Sequence, residues 1–134
     1  MAKVLAWVLQ RIPVLQNETM EPYAALGLAE IDEDGFAKFL AGVIYHNWRQ
    51  PNIEITFAAT RNWASRGFIR SVFNAPFNQM GCARITCLTP KRNKKARELL
   101  KKLGFVQEGN LRRALSGRDL LIYGMLKEEC KWIG

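Results

Sequence analysis

Histidine and cysteine are scarce in this sequence, and their scarcity excludes much. Its 134 residues hold one histidine, His46, and three cysteines, Cys82, Cys87 and Cys130. An odd cysteine count with no C-x-x-C pair builds no disulfide framework, and a single histidine argues against a zinc site. The thiols read as free side chains in a reducing cytoplasm. Long apolar runs are missing too. Val4-Leu5-Ala6-Trp7-Val8-Leu9 is cut off by Gln10 and Arg11, too soon for a signal h-region or a membrane span. No repeat, low-complexity tract or linker divides the chain, so it reads as one domain over residues 1–134.

What is present is a core and a concentration of charge. Apolar residues make up 49% of the chain and aromatics 10%, enough for a packed interior. The net charge is +8, and residues 91–102 carry seven cations against one anion, Glu98. The rest of the chain is close to neutral. Charge gathered in one segment points to a specific anionic partner more than to general solubility.

Periodicity gives the order of elements. Val4, Val8, Ile12 and Leu15 recur at helical spacing, so a helix is expected over 3–13, followed by a loop or a short helical turn over 17–23. Strands are expected over 24–31 and 36–47, joined at Asp32-Glu33-Asp34-Gly35, because glycine tolerates the positive φ of a tight turn. Gln50-Pro51-Asn52 marks another turn before a third strand over 53–60. Phe68, Ile69, Val72 and Phe73 then switch to helical period over 65–80, with Pro76 as an interruption and Gly81 as the stop. A strand follows over 83–89. Asn93 is the expected N-cap of a helix with stripe Ala96, Leu99, Leu100 and Leu103, closed by Gly104. Two strands, near 105–115 and 119–126, flank Ser116-Gly117. The sum is an α/β or α+β sheet with helices packed on it.

The helix after Asn93 poses a question. Arg92, Lys94 and Lys95 place cations at its start, where each opposes the macrodipole by about 0.3–1 kcal/mol. A solvated basic face explains this. So does an anion seated there, since helix N–H groups, dipole and side chains would then act together. A phosphate-bearing ligand fits, and so does nucleic acid, although 91–102 contains no aromatic residue to stack on bases.

Asn93, Ala96, Gly104 and Phe105 resemble the N-x-x-A-x(7)-G-F signature of the GNAT superfamily of N-acetyltransferases. Gly104-Phe105-Val106-Gln107-Glu108-Gly109-Asn110-Leu111-Arg112, with Asp119 and Tyr123, resembles the ending of the ribosomal-protein alanine acetyltransferase branch. Gly42-Val43-Ile44-Tyr45-His46-Asn47-Trp48 resembles a small acetyltransferase-like group often encoded by bacteriophages. The resemblance implies a mixed, mostly antiparallel twisted sheet flanked by helices, here shortened at the N-terminus, and acetyl-CoA chemistry. The pantetheine arm would enter a gap beside the third strand, along Phe57, Ala58, Ala59 and Thr60. The pyrophosphate would sit near Arg61, Arg66, Gly67 and Phe68, and Arg92, Asn93, Lys94, Lys95 and Ala96 would face the cofactor.

The sequence departs from the family at three places. Ala64 and Arg66 stand where the phosphate loop has glycines, beside a bulky Trp63. Leu100 stands where a tyrosine commonly protonates the departing thiolate. The usual first strand is replaced by a helix. Catalysis must then use other groups. Glu54 is the first choice for base and His46 the second, with Tyr45 and Tyr123 as acids and Asp119 as a site for a cationic substrate. The implied reaction is acetyl transfer to an amine on an unknown protein or small molecule. Two alternatives stand beside it: an inactive CoA-binding or interaction module of the same fold, and a basic nucleic-acid binder.

Overall fold

The structure, a computed structural model, describes residues 2–12, 23–60, 63 and 65–134. The loop or short helical turn expected over 17–23 lies outside the described residues except at its last position, and so does Arg61.

Helix α1 (Ala2–Arg11) precedes the antiparallel strands β1 (Tyr23–Ile31), β2 (Ala37–Arg49) and β3 (Asn52–Ala59). Helix α2 (Arg66–Asn74) passes into a π-helical turn at Ala75–Gln79 and leads to β4 (Arg84–Pro90). Helix α3 (Lys94–Leu103) and the hairpin of β5 (Val106–Leu115) and β6 (Arg118–Leu126) complete the chain, with a short 3-10 turn at Lys127–Glu129. The six strands form one sheet in the order β1-β2-β3-β4-β6-β5. β3 and β4 run parallel, and the other neighbouring pairs are antiparallel.

Local chemistry explains the ends. Gly35 takes φ 83° in the first hairpin, and Asp32 Oδ1 accepts from the N–H groups of Asp34 and Phe36. Asn93 caps α3 by accepting from Ala96 N at 3.1 Å, a contact worth about 1 kcal/mol. Gly104 closes the helix at φ 108°, a left-handed conformation natural to glycine.

The strands' period of two sorts the side chains onto two faces. Ala41, Val43, Tyr45, Ile53, Ile55, Ile85, Cys87, Leu121, Tyr123 and Met125 meet Phe68, Ile69, Val72 and Phe73 of α2 and Leu100 of α3. Phe105 of the Gly104-Phe105 pair joins this core, its ring 6.0 Å from that of Phe73. On the opposite face α1 lays Val4 and Val8 on Ile44. Its close approach depends on Gly42, where an added Cβ would stand 2.7 Å from Val8 Cγ2. All three cysteines are buried and unpaired. Among the described residues no helix is long and apolar enough to cross a membrane.

Pro76 interrupts its helix in an instructive way. Proline has no N–H, so the carbonyl of Val72, four residues back, loses its helical partner. Tyr45 replaces it: the tyrosine hydroxyl donates to Val72 O at 2.6 Å. Burial also pushes the Tyr45 hydroxyl pKa well above its ordinary value. Tyr45→Phe should therefore strand a buried carbonyl and cost about 1–3 kcal/mol in denaturant melts. An unchanged melt would show that the carbonyl finds another partner.

Candidate active site at the fork between two parallel strands

The parallel pairing of β3 with β4 covers four residue pairs and stops at Ile55 opposite Cys87. Beyond that point Thr56, Phe57, Ala58 and Ala59 pair with β2 alone. Leu88, Thr89 and Pro90 pair with β6 alone. The sheet is forked, and each arm turns a row of backbone N–H and C=O groups toward the opening. Ala58 and Ala59 are small enough to let another chain approach the β3 arm.

Glu54 and His46 meet beside the fork, on the face that carries α1. They lie directly opposite each other in the β2–β3 register. His46 Nε2 is 2.8 Å from Thr56 Oγ1, and Nδ1 is 3.4 Å from Glu54 Oε2. A neutral ring satisfies both contacts, with Nδ1–H toward the carboxylate and Nε2 accepting from the threonine hydroxyl. Burial pushes the histidine pKa down from 6.5 and the glutamate pKa up from 4.5. An ion pair alone would move both the other way, so loss of water outweighs the attraction. The result is a carboxylate of raised basicity held by an uncharged imidazole.

This meeting depends on a bulge. Arg49 pairs with Asn52, and between His46 and Arg49 the register shifts by one residue. Asn47 sits there at φ 51°, a left-handed conformation that asparagine tolerates better than most residues. Without the extra residue His46 would face Ile55, and its side chain would lie on the opposite side of the sheet from Glu54.

The other expected site residues are dispersed. Tyr45 and Tyr123 are buried on the opposite face. Tyr123 is the Cα partner of Cys87, level with the end of the parallel pairing, and Arg97 Nε donates to its hydroxyl oxygen at 3.4 Å. Leu100 is buried in the core. Asp119 accepts from Arg113 N and Asn110 Nδ2, which hold its pKa below the usual carboxylate value. Thr60 stays tied to Leu40 through both its N–H and its hydroxyl. Trp63 turns back edge-on against Phe57, ring centroids 5.0 Å apart.

The start of α2 has the features of an anion seat. Ser65 caps Phe68 N, while Arg66 and Gly67 are exposed, and a Cβ at Gly67 would meet nothing within 4 Å. First-turn N–H groups have no intrahelical partner. Arg92, Lys94 and Lys95 are exposed at the start of α3, and the Asn93 amide oxygen is committed to Ala96 N.

Sequence reasoning missed a second polar chain on the α1 face. Asn52 accepts from Thr86, Thr86 accepts from Arg84 Nε, and the Arg84 guanidinium grips Glu108 through two hydrogen bonds. The alternation of Asn52, Glu54 and Thr56 along one strand was its only signal.

A six-stranded, mostly antiparallel sheet flanked by helices and forked at a parallel pair is the GNAT acetyltransferase fold. A GNAT-family acetyltransferase from Bacillus anthracis matches with TM-score 0.57 at 17% identity, covering 72% of this chain and 63% of its own. Mycobacterium smegmatis RimJ in complex with CoA-disulfide matches with TM-score 0.60 at 18% identity, covering 96% and 79%. A variant of the spermidine N-acetyltransferase SpeG from Vibrio cholerae matches with TM-score 0.61 at 15% identity, covering 90% and 74%. The chain spans only 57% of another similar structure, a probable acetyltransferase. No family model matches the chain, and no curated protein does.

Proposed function

We propose that this chain is an N-acetyltransferase that moves an acetyl group from acetyl-CoA to an amine, as a single GNAT-like domain in the cytoplasm. The observation that carries the reading is the fork, with Glu54 and His46 beside it. The free edge of β3 along Phe57, Ala58 and Ala59 suits the amide-bearing pantetheine arm, which can pair with it as an added strand. Arg61, Arg66, Gly67 and Phe68 would hold the pyrophosphate, and Arg92, Lys94 and Lys95 the 3′-phosphate. When bound, acetyl-CoA supplies the activated acyl carbon.

The chain's own residues manage protons. An ammonium cannot attack an acyl carbon, so the acceptor must lose a proton. Glu54 takes it, and His46, fixed by Thr56, orients the carboxylate. Of the two tyrosines, Tyr45 has committed its proton to Val72 O. Tyr123 receives a hydrogen bond from Arg97, which leaves its own proton available. It is the better candidate acid toward the leaving thiolate.

One observation favours a second reading, a CoA-binding module without transfer. Leu100 is buried in the core, so α3 offers no hydroxyl at the position where the family commonly has tyrosine. Thermal melts separate these readings from a nucleic-acid binder. A ligand at about 100 times its Kd adds about 2.7 kcal/mol to stability. Acetyl-CoA should raise the melting temperature, and dephospho-CoA should raise it less. No shift at roughly millimolar ligand would count against both readings. A shift with no acetyl transfer across a broad amine panel would favour the inactive module.

A further inference from the structure

The mouth of the fork is bordered by an excess of positive charge. Lys91 and Arg92 follow directly on Pro90, the last residue of the β4 arm. Arg97 reaches back from α3 and donates from Nη1 to the Lys91 carbonyl at 3.0 Å. The β5–β6 hairpin meets them there, since Lys91 N donates to Asp119 O at 3.1 Å. That hairpin brings Arg112, Arg113 and Arg118. β5 leaves its register with β6 between Leu111 and Leu115, so Arg112 and Arg113 stand on a bulge. Lys91, Arg92, Arg97, Arg118 and Asp119 line a shallow cavity of about 400 Å³.

Asp119 offsets only part of this charge: Lys91 and Arg112 both act on its carboxylate. Its two oxygens are used by Arg113 N and Asn110, which makes it a strut of the hairpin. The ion pairs among the described residues, His46 with Glu54 and Arg84 with Glu108, involve none of these cations. With Arg92 left to the cofactor's 3′-phosphate, Lys91, Arg97, Arg112, Arg113 and Arg118 still outnumber the one carboxylate, and a bound polyanion relieves their repulsion.

We propose that this cluster docks an acidic peptide, and that the peptide carries the acceptor amine to the fork; the docking stands on the charge, the amine's fate on the acetyltransferase reading. A polyamine such as spermidine would be repelled here. A single concavity suits a few carboxylate side chains, each able to take a bidentate arginine. No aromatic residue lines it for base stacking, which favours peptide over single-stranded nucleic acid.

The test uses the full chain and two labelled peptides with the same N-terminal residue, one continuing in glutamates and one in arginines. Anisotropy should show the acidic peptide binding, about tenfold more weakly as salt rises from roughly 50 to 300 mM, and the basic peptide not binding. Combining Arg112→Glu with Arg118→Glu should abolish binding while acetyl-CoA still raises the melting temperature as before. Failure of the acidic peptide to bind, equal binding of both peptides, or unchanged binding by the charge-reversed protein overturns the proposal. Displacement by duplex RNA at lower concentration than competing acidic peptide overturns it too. Binding through these arginines with no transfer to either peptide supports the docking site and counts against the acetyltransferase reading.

Discussion

Glu54→Gln should slow acetyl transfer by about 10²–10⁴-fold and leave acetyl-CoA affinity unchanged. The amide keeps the size of the carboxylate and its place opposite His46, but it cannot accept a proton at neutral pH. The loss belongs to the transition state, so it should appear in kcat and not in the cofactor's Kd. In the wild type the rate should rise with pH as Glu54 ionises, at a pKa above its ordinary 4.5. His46 titrates below 6.5, so a limb there that vanishes in His46→Gln would transfer the role to the histidine. A loss within about threefold would point to solvent as the base. Stability gives an independent check. A carboxyl whose folded pKa is raised contributes its full stability below 4.5 and loses it as pH rises through the folded value. The glutamine variant lacks that loss, so it should gain stability relative to wild type as pH rises above 4.5.

Phe73→Ala should cost about 3–5 kcal/mol, against a total stability of about 5–15 kcal/mol for a domain of this kind. Phe73 is 1% exposed and lies between Phe77, at 6.5 Å, and Phe105, at 6.0 Å. The substitution empties the joint where α2, its π-helical turn and Phe105, just past the Gly104 cap of α3, meet. Urea melts should show the midpoint falling with little change in slope. A cost under about 1 kcal/mol would mean that the neighbouring rings close the cavity.

Much of the fold was legible because its signals are local. Asp-Gly between apolar runs marked the first hairpin, Asn93 and Gly104 marked both ends of α3, and the change of period marked α2. The helix expected over 65–80 is present, but Pro76 turns its second part into a π-helical turn and passes a carbonyl to Tyr45. That exchange joins residues 27 apart in sequence, and no local pattern encodes it. The site was legible as a list of residues more than as an arrangement. Glu54 and His46 were named, yet their meeting depends on a single extra residue near Asn47. Their separation from Tyr45 followed only once register had assigned each side chain a face. The fork is still less local, since where two distant strands stop pairing is not written in either strand.

The fork also divides the sheet into halves. β1-β2-β3 and β4-β6-β5 are each antiparallel units, and four residue pairs join them across the sheet. A ligand paired with the β3 arm would be a guest strand in the rift. The halves otherwise hold together through that short seam and through the core that α2 and α3 lay across both. A guest strand would add a second seam to that shared core, so ligand binding should bear on how the two halves come apart as well as on chemistry.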